Sequence, residues 1–152
     1  MRKRGYNRKV ERGDTNMEIK AHKVCAGKAE GEAVVYEGAF SFMGDLDPLT
    51  GKIPVPRHPL EGQNLVNKVF VFTTGKGSSA GDCAAWVARE NGNVPAAMIC
   101  MESEPILSGA VIITGIPMVD HPEKNIFDLI NTGDFIKVDA DAGIIEIVKK
   151  ES

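Results

Sequence analysis

One stretch limits the possible folds more than any other, Lys68-Val-Phe-Val-Phe-Thr-Thr-Gly-Lys-Gly-Ser-Ser-Ala-Gly-Asp82. The β-branched and aromatic residues from Val69 to Thr73 suit a buried strand. Gly75 and Gly77 then permit a tight backbone turn. From Ser79 the pattern becomes helical, with Ser79 expected as N-cap, Asp82 three residues on, and apolar residues at Cys83, Trp86 and Val87. A strand, a glycine turn and a helix therefore follow one another without a spacer. Two serines, Ser78 and Ser79, fall at the mouth of the helix, where unpaired N–H groups and the helix dipole favour negative charge. Such a place suits a bound anion or a serine alkoxide.

The 152 residues suffice for one domain with a sizeable core. An apolar share of 43% and a charged share of 26% are ordinary for a globular protein, and a net charge of −3 gives no sign of a nucleic-acid surface. No apolar run approaches the roughly 18 residues that a membrane span needs. Cys25, Cys83 and Cys100 are too few and too widely spaced for a zinc or iron–sulfur motif. They are expected to be buried free thiols in a reducing cytoplasm, with no metal held by this chain. Any metallocluster in the chemistry would sit on another chain.

Residues 1–16 are basic and nearly devoid of core residues, which predicts a disordered arm preceding one domain over residues 17–152. Glu18 to Cys25 and Ala33 to Tyr36 read as short strands joined by a hairpin turn over Gly27–Gly31. Phe40 to Pro59 carries turn chemistry and three prolines, Pro54, Pro56 and Pro59, so it reads as a long irregular loop holding Asp45, Asp47, Arg57 and His58. Gly92 should close the central helix. Beyond it, Ala96–Met101 and Ala110–Thr114 read as buried strands separated by a helical turn at Ile106–Ser108, and Gly115–Asp120 as a turn. A short helix is expected at Asn125–Ile130, then a closing hairpin made by Gly133–Val138 and Gly143–Val148. β-rich ends around a βαβ-like centre predict a mixed α/β fold of sandwich or barrel character.

The glycine turn admits several chemistries. Gly75-Lys-Gly-Ser-Ser-Ala80 matches G-x-G-x-x-A between strand and helix, and Glu102 stands where a ribose-binding acid would, so a nicotinamide-dinucleotide domain is one reading. Against it, the motif does not open the fold and too little chain follows for a second mononucleotide half. A P-loop would need glycine at position 70, which is Phe70, and serine or threonine at position 77, which is Gly77. A serine-hydrolase reading is set aside because His22, His58 and His121 show no triad pattern. A serine acting as proton acceptor and a serine that only caps the helix both stay open, the latter being a non-catalytic interaction module.

Five ordered motifs then narrow the choice. They are Ala26-Gly-Lys-Ala-Glu-Gly-Glu-Ala33, Ser41-Phe-Met-Gly-Asp-Leu-Asp-Pro-Leu-Thr-Gly51, His58-Pro-Leu-Glu-Gly62, Gly75-Lys-Gly-Ser-Ser79 and Gly115-Ile-Pro-Met-Val-Asp120. Together, from Met17 to about Lys150, they resemble the small, swivelling-domain subunit of the aconitase X family. The resemblance implies a swivelling β/β/α domain like the mobile domain of aconitase. It implies a hydro-lyase, a dehydratase assembled as a heteromer with a larger subunit that carries a 4Fe-4S cluster, the isolated chain being inactive. It further implies that the cluster iron acts on the departing hydroxyl while the first serine of the Gly-Ser-Ser turn, Ser78, accepts the proton. Gly44, Asp47 and His58 would line the cleft with Gly77 and Ser79, and Lys76 would be the local cation for a phosphorylated substrate. Archaeal members act on a phosphorylated hydroxy acid in isoprenoid biosynthesis, and bacterial relatives on a hydroxyproline. Ala80 and Asp82 replace the Thr and Ser common in the family, and Asp45 replaces a glycine. Those departures bear on substrate choice and leave the base untouched.

Overall fold

The structure, a computed structural model, describes residues 15–77 and 80–149. The basic arm lies outside the described residues except for Thr15 and Asn16, which already pair as part of a strand. Eight strands form, β1 (Thr15–Lys20), β2 (His22–Cys25), β3 (Lys28–Phe40), β4 (Val69–Gly75), β5 (Ala97–Glu102), β6 (Met118–Asp120), β7 (Phe135–Asp139) and β8 (Ile144–Lys149). Their order is β1-β8-β7-β3-β4-β5-β6-β2.

The long strand β3 belongs to two sheets. Lys28–Glu32 pairs antiparallel with β7, while Ala33–Phe40 pairs parallel with β4. On the other side β1 and β2 occupy opposite ends of the strand order although only Ala21 separates them in the chain. The two sheets are therefore continuous along both flanks, which gives the sandwich its barrel-like character.

Strand periodicity sorts the core into two clusters. Val69 and Val71 of β4, with Ala97 and Ile99 of β5, meet Ile136, Val138, Ile145 and Ile147 of the antiparallel sheet. The alternate residues Phe70, Phe72, Met98 and Cys100 face the other way, against Ala85 and Ala88 of α2 (Gly81–Glu90) and Leu107, Ala110 and Val111 of α3 (Pro105–Thr114). The layers are sheet, sheet and helices. The central strands, the closing β7–β8 hairpin and the Gly92 helix stop, with φ +74°, agree with the sequence expectations.

Several expectations are corrected. Glu18 to Cys25, read as one strand, is divided at Ala21 between β1 and β2, and Gly115–Asp120, read as a turn, ends in strand β6. Gly27–Gly31 makes no hairpin turn, because Gly31 lies within β3, where a Cβ would stand 2.7 Å from the Asn67 carbonyl oxygen. The glycine serves close backbone approach there. Ala110–Thr114 is helix instead of strand: α3 begins at the Glu104 cap and Pro105, runs unbroken, and ends on Gly115 in the left-handed conformation. The run is apolar on its exposed face too, at Ile112 and Ile113, so its period cannot distinguish strand from helix. Finally, α2 buries Gly81, Ala85 and Ala88, leaving Trp86 and Val87 exposed. Small residues let the helix lie close to α3, and a Cβ on Gly81 would already sit 3.4 Å from Ile106 Cγ2.

Two alanine substitutions should move stability in opposite directions. Gly31→Ala must push Asn67 aside and is expected to cost about 1–3 kcal/mol. Gly109→Ala, in α3 where a Cβ meets nothing within 4 Å, should add roughly 0.5–1 kcal/mol. Urea denaturation of the two variants measures both.

Candidate active site at the carboxyl ends of the parallel strands

Strands β3 to β6 run parallel to one another. Their carboxyl ends therefore share one edge, the edge at which open α/β sheets bind ligands. The segments leaving that edge are those around Ser41, Lys76, Ser103 and His121.

After β3, the buried Ser41 caps a single interrupted helical turn, α1 (Phe42–Asp45): its Oγ accepts the Met43 N–H at 3.0 Å. Asp45 folds back so that Oδ2 accepts the Ser41 N–H at 3.0 Å. Gly44 between them takes φ +95°, with open space on its Cβ side. The Asp45 carboxylate, only 7% exposed, pairs with Lys76 Nζ at 2.9 Å, and the Lys76 N–H donates to the Phe40 carbonyl at 3.0 Å. The glycine turn is thus tied to the α1 loop by side chain and by backbone.

The opposite flank of the turn rests on Glu104. Its two carboxylate oxygens accept the N–H groups of Ile106 and Leu107, at 3.1 and 2.9 Å, and start α3. A Cβ on Gly75 would stand 2.8 Å from Glu104 Cγ, and Gly77, at φ +81°, faces Glu104 Oε1. Only glycine fits the first position without displacing that side chain. A narrow cleft remains between Phe40, Ser41, Phe42, Gly77, Gly81 and Ile106.

Ser78 and Ser79 lie outside the described residues; in sequence they join Gly77 to Ala80. The cap expected from Ser79 is corrected: α2 begins at Gly81, and Ala80 in the cap position supplies no side-chain bond. Asp82 Oδ1 takes the Cys83 N–H at 2.7 Å. Gly44, Lys76 and Gly77 come together through the Asp45–Lys76 pair. Asp47 and His58 instead shape their own loop. Asp47 Oδ1 accepts the Leu49 N–H at 2.9 Å, whereas His58 Nδ1 accepts the Leu60 N–H at 2.9 Å and its ring packs at a 46° tilt against Tyr36, centroids 4.6 Å apart. The sequence reading missed two residues. Glu104 was legible as the cap that precedes Pro105; Asp45 was noted as a loop acid and a departure, without a role at the turn, since its partner lies 31 positions away.

This geometry disfavours a bound dinucleotide, because the Glu104 carboxylate beneath the turn would repel a pyrophosphate. Gly77-Ser78-Ser79-Ala80-Gly81 does carry the G-x-S-x-G spacing of a hydrolase elbow. The histidines do not complete it, His58 being engaged with Tyr36 and Leu60, and His22 and His121 with Asp120. The cysteines do not converge either. Cys25 is on β2, Cys100 is buried on β5, and Cys83 is exposed on α2, against the expectation that all three are buried. Burial pushes the Cys100 thiol far above its ordinary pKa and leaves it inert. These residues do not fit an iron–sulfur cluster. No helix among the described residues is long and apolar enough to cross a membrane.

Two sheets backed by helices, with the turn Gly75–Gly77 at the carboxyl edge of the parallel strands, define a swivelling β/β/α domain. The chain belongs to the aconitase X family: the family model described as the aconitase X swivel domain matches residues 18–147. It is 45% identical to the phosphomevalonate dehydratase small subunit of Methanocella arvoryzae, over 86% of this chain and 99% of that one. It is 43% identical to the corresponding subunit of Methanothrix thermoacetophila, over 82% and 90%. The crystal structure of Thermococcus kodakaraensis aconitase X in its holo form superposes with a TM-score of 0.81 at 37% identity, covering 86% of this chain and 98% of that one.

Removing Lys76 leaves a nearly buried carboxylate without its counter-charge. Because the lysine is 46% exposed, Lys76→Met should cost about 1–2 kcal/mol, below the figure for a fully buried pair. Adding Asp45→Asn should return part of that loss, and a double-mutant cycle on denaturation free energies reads the coupling.

Proposed function

We propose that this chain is the small subunit of a phosphomevalonate dehydratase, with Ser78 as the proton acceptor. The reaction converts (R)-5-phosphomevalonate to trans-anhydromevalonate 5-phosphate and water, a step in the modified mevalonate route to isoprenoids. The observation that carries the reading is the glycine turn itself, held at the carboxyl edge by the Asp45–Lys76 pair on one side and by Glu104 on the other. Relatives that bear this enzyme's name match along nearly their whole length.

A serine hydroxyl is a feeble base at neutral pH, so the site must favour its alkoxide. Two features of this chain work in that direction. Helix α2 begins at Gly81, so the positive end of its dipole adjoins the turn, although the Asp82 carboxylate in its first turn offsets part of that field. Lys76 brings an ammonium to the residue before Gly77, although Asp45 neutralises part of its field. Ser78 then takes a proton from substrate carbon as the hydroxyl on the neighbouring carbon departs, and the two carbons are left joined by a double bond. With Lys76 engaged by Asp45, much of the recognition of the substrate phosphate falls to the partner. The larger subunit also holds the 4Fe-4S cluster in this reading, as Cys25, Cys83 and Cys100 stand on separate elements.

Ser78→Ala, assembled with the large subunit, should lower dehydration by about 10²–10⁴-fold, the usual contribution of a general base. The heteromer should still form on size exclusion. Ser79→Ala should retain activity within about tenfold. Near-normal turnover by the Ser78 variant would sink the assignment.

A further inference from the structure

At the far end of the same edge, three metal-ligating side chains converge outside the proposed active site. His22 opens β2 directly across the ladder from Asp120, the last residue of β6. His121 follows with φ +46°, a left-handed conformation that residues other than glycine seldom adopt, and its N–H is anchored on the Met101 carbonyl at 3.0 Å. That backbone turns the His121 ring back toward Asp120. His22 Nδ1 stands 2.9 Å from one carboxylate oxygen and His121 Nδ1 3.2 Å from the other, all the donor atoms lying within 4.8 Å of one another.

Two imidazole nitrogens and a carboxylate form a donor set suited to zinc and similar divalent metals. Ligands bonded to one such ion at about 2.0–2.2 Å lie about 3.4 Å apart when tetrahedral. Donors within 4.8 Å of one another must therefore draw together by at most about 1.4 Å, a change open to the two exposed histidine side chains. Ser103 holds the carboxylate from behind, its Oγ donating to Asp120 Oδ2 at 2.6 Å and its N–H at 3.3 Å. This is the outer support that orients a ligating carboxylate. Asp120 itself is 3% exposed, whereas His22 and His121 are 71% and 60% exposed. The open side leaves room for a water as fourth ligand.

We propose that His22, Asp120 and His121 bind one divalent transition-metal ion of zinc-like chemistry, which staples the end strand β2 to β6. The staple lies where the chain passes through Ala21 from one sheet to the other, so occupancy bears on the stability of the whole sandwich.

The test uses the tag-free full chain, stripped with chelator and dialysed. Titrated with Zn(II) in a calorimeter, it should bind one equivalent, and its Tm should rise. Ser103→Ala should weaken binding by about 10–100-fold, as loss of an outer support does elsewhere. The double variant His22→Gln/His121→Gln, which changes exposed side chains and should still fold, must lose more than that, together with the Tm rise. Cys83→Ser should bind as wild type does, and Co(II) should give a d–d spectrum free of thiolate charge-transfer bands. Absence of binding, binding that survives in the double variant, or a thiolate signature lost in Cys83→Ser would each overturn the proposal.

Discussion

Burial of β4 on both faces is the constraint on which the rest of the structure depends. Val69 and Val71 close the core between the sheets, while Phe70 and Phe72 build the core beneath the helices. Phe40 packs edge-on against both phenylalanines, with centroids 4.9 and 5.8 Å away, and against Phe42 at 5.2 Å. Such aromatic pairs contribute roughly 0.5–1.5 kcal/mol each beyond the area they bury. The cluster includes the last residue of β3 and the first of α1, so the packing that fills the core also fixes where the α1 loop leaves the sheet.

Function grows out of that fixed exit. A strand buried on both faces cannot move, and the glycine turn that follows inherits its position. Two carboxylates then grip the turn from opposite flanks, Asp45 through the Lys76 ammonium and Glu104 through contact with Gly75. Both are employed in local structure as well, one closing α1 and the other starting α3. Gly75 to Gly77 are therefore held by groups whose own geometry is already determined, the condition that the proposed base, Ser78, requires of its surroundings.

The same economy governs the loop from Ser41 to Gly62. Its polar residues spend their bonding capacity on the loop itself, as Asp47 does with Leu49 and His58 with Leu60 and Tyr36. A segment with little regular structure stays compact because these side-chain bonds add to backbone turn bonds such as Gly51 N–H to the Asp47 carbonyl and Ile53 N–H to the Gln63 carbonyl.

The pattern from Val69 to Gly77 was legible as strand and turn because local sterics decide it: β-branched and aromatic residues favour the pleated conformation, and glycine alone tolerates the turn. The hairpin β7–β8 and the Gly92 helix stop were readable for the same reason. Ordered motifs carried the family and, through it, the choice of Ser78. The role of Gly31 was not legible, since the Asn67 carbonyl it makes room for is 36 positions away in sequence and meets it only when the sheets assemble. Helix α3 was misread because its exposed face, at Ile112 and Ile113, is as apolar as its buried one, which leaves no amphipathic period. The outward face of Trp86 was decided by the close approach of α2 to α3. For the glycine turn, the sequence determined its shape and its serines. Only the tertiary structure decided which carboxylates hold it, because Asp45 and Glu104 reach it across the carboxyl edge of a sheet whose strands are distant along the chain.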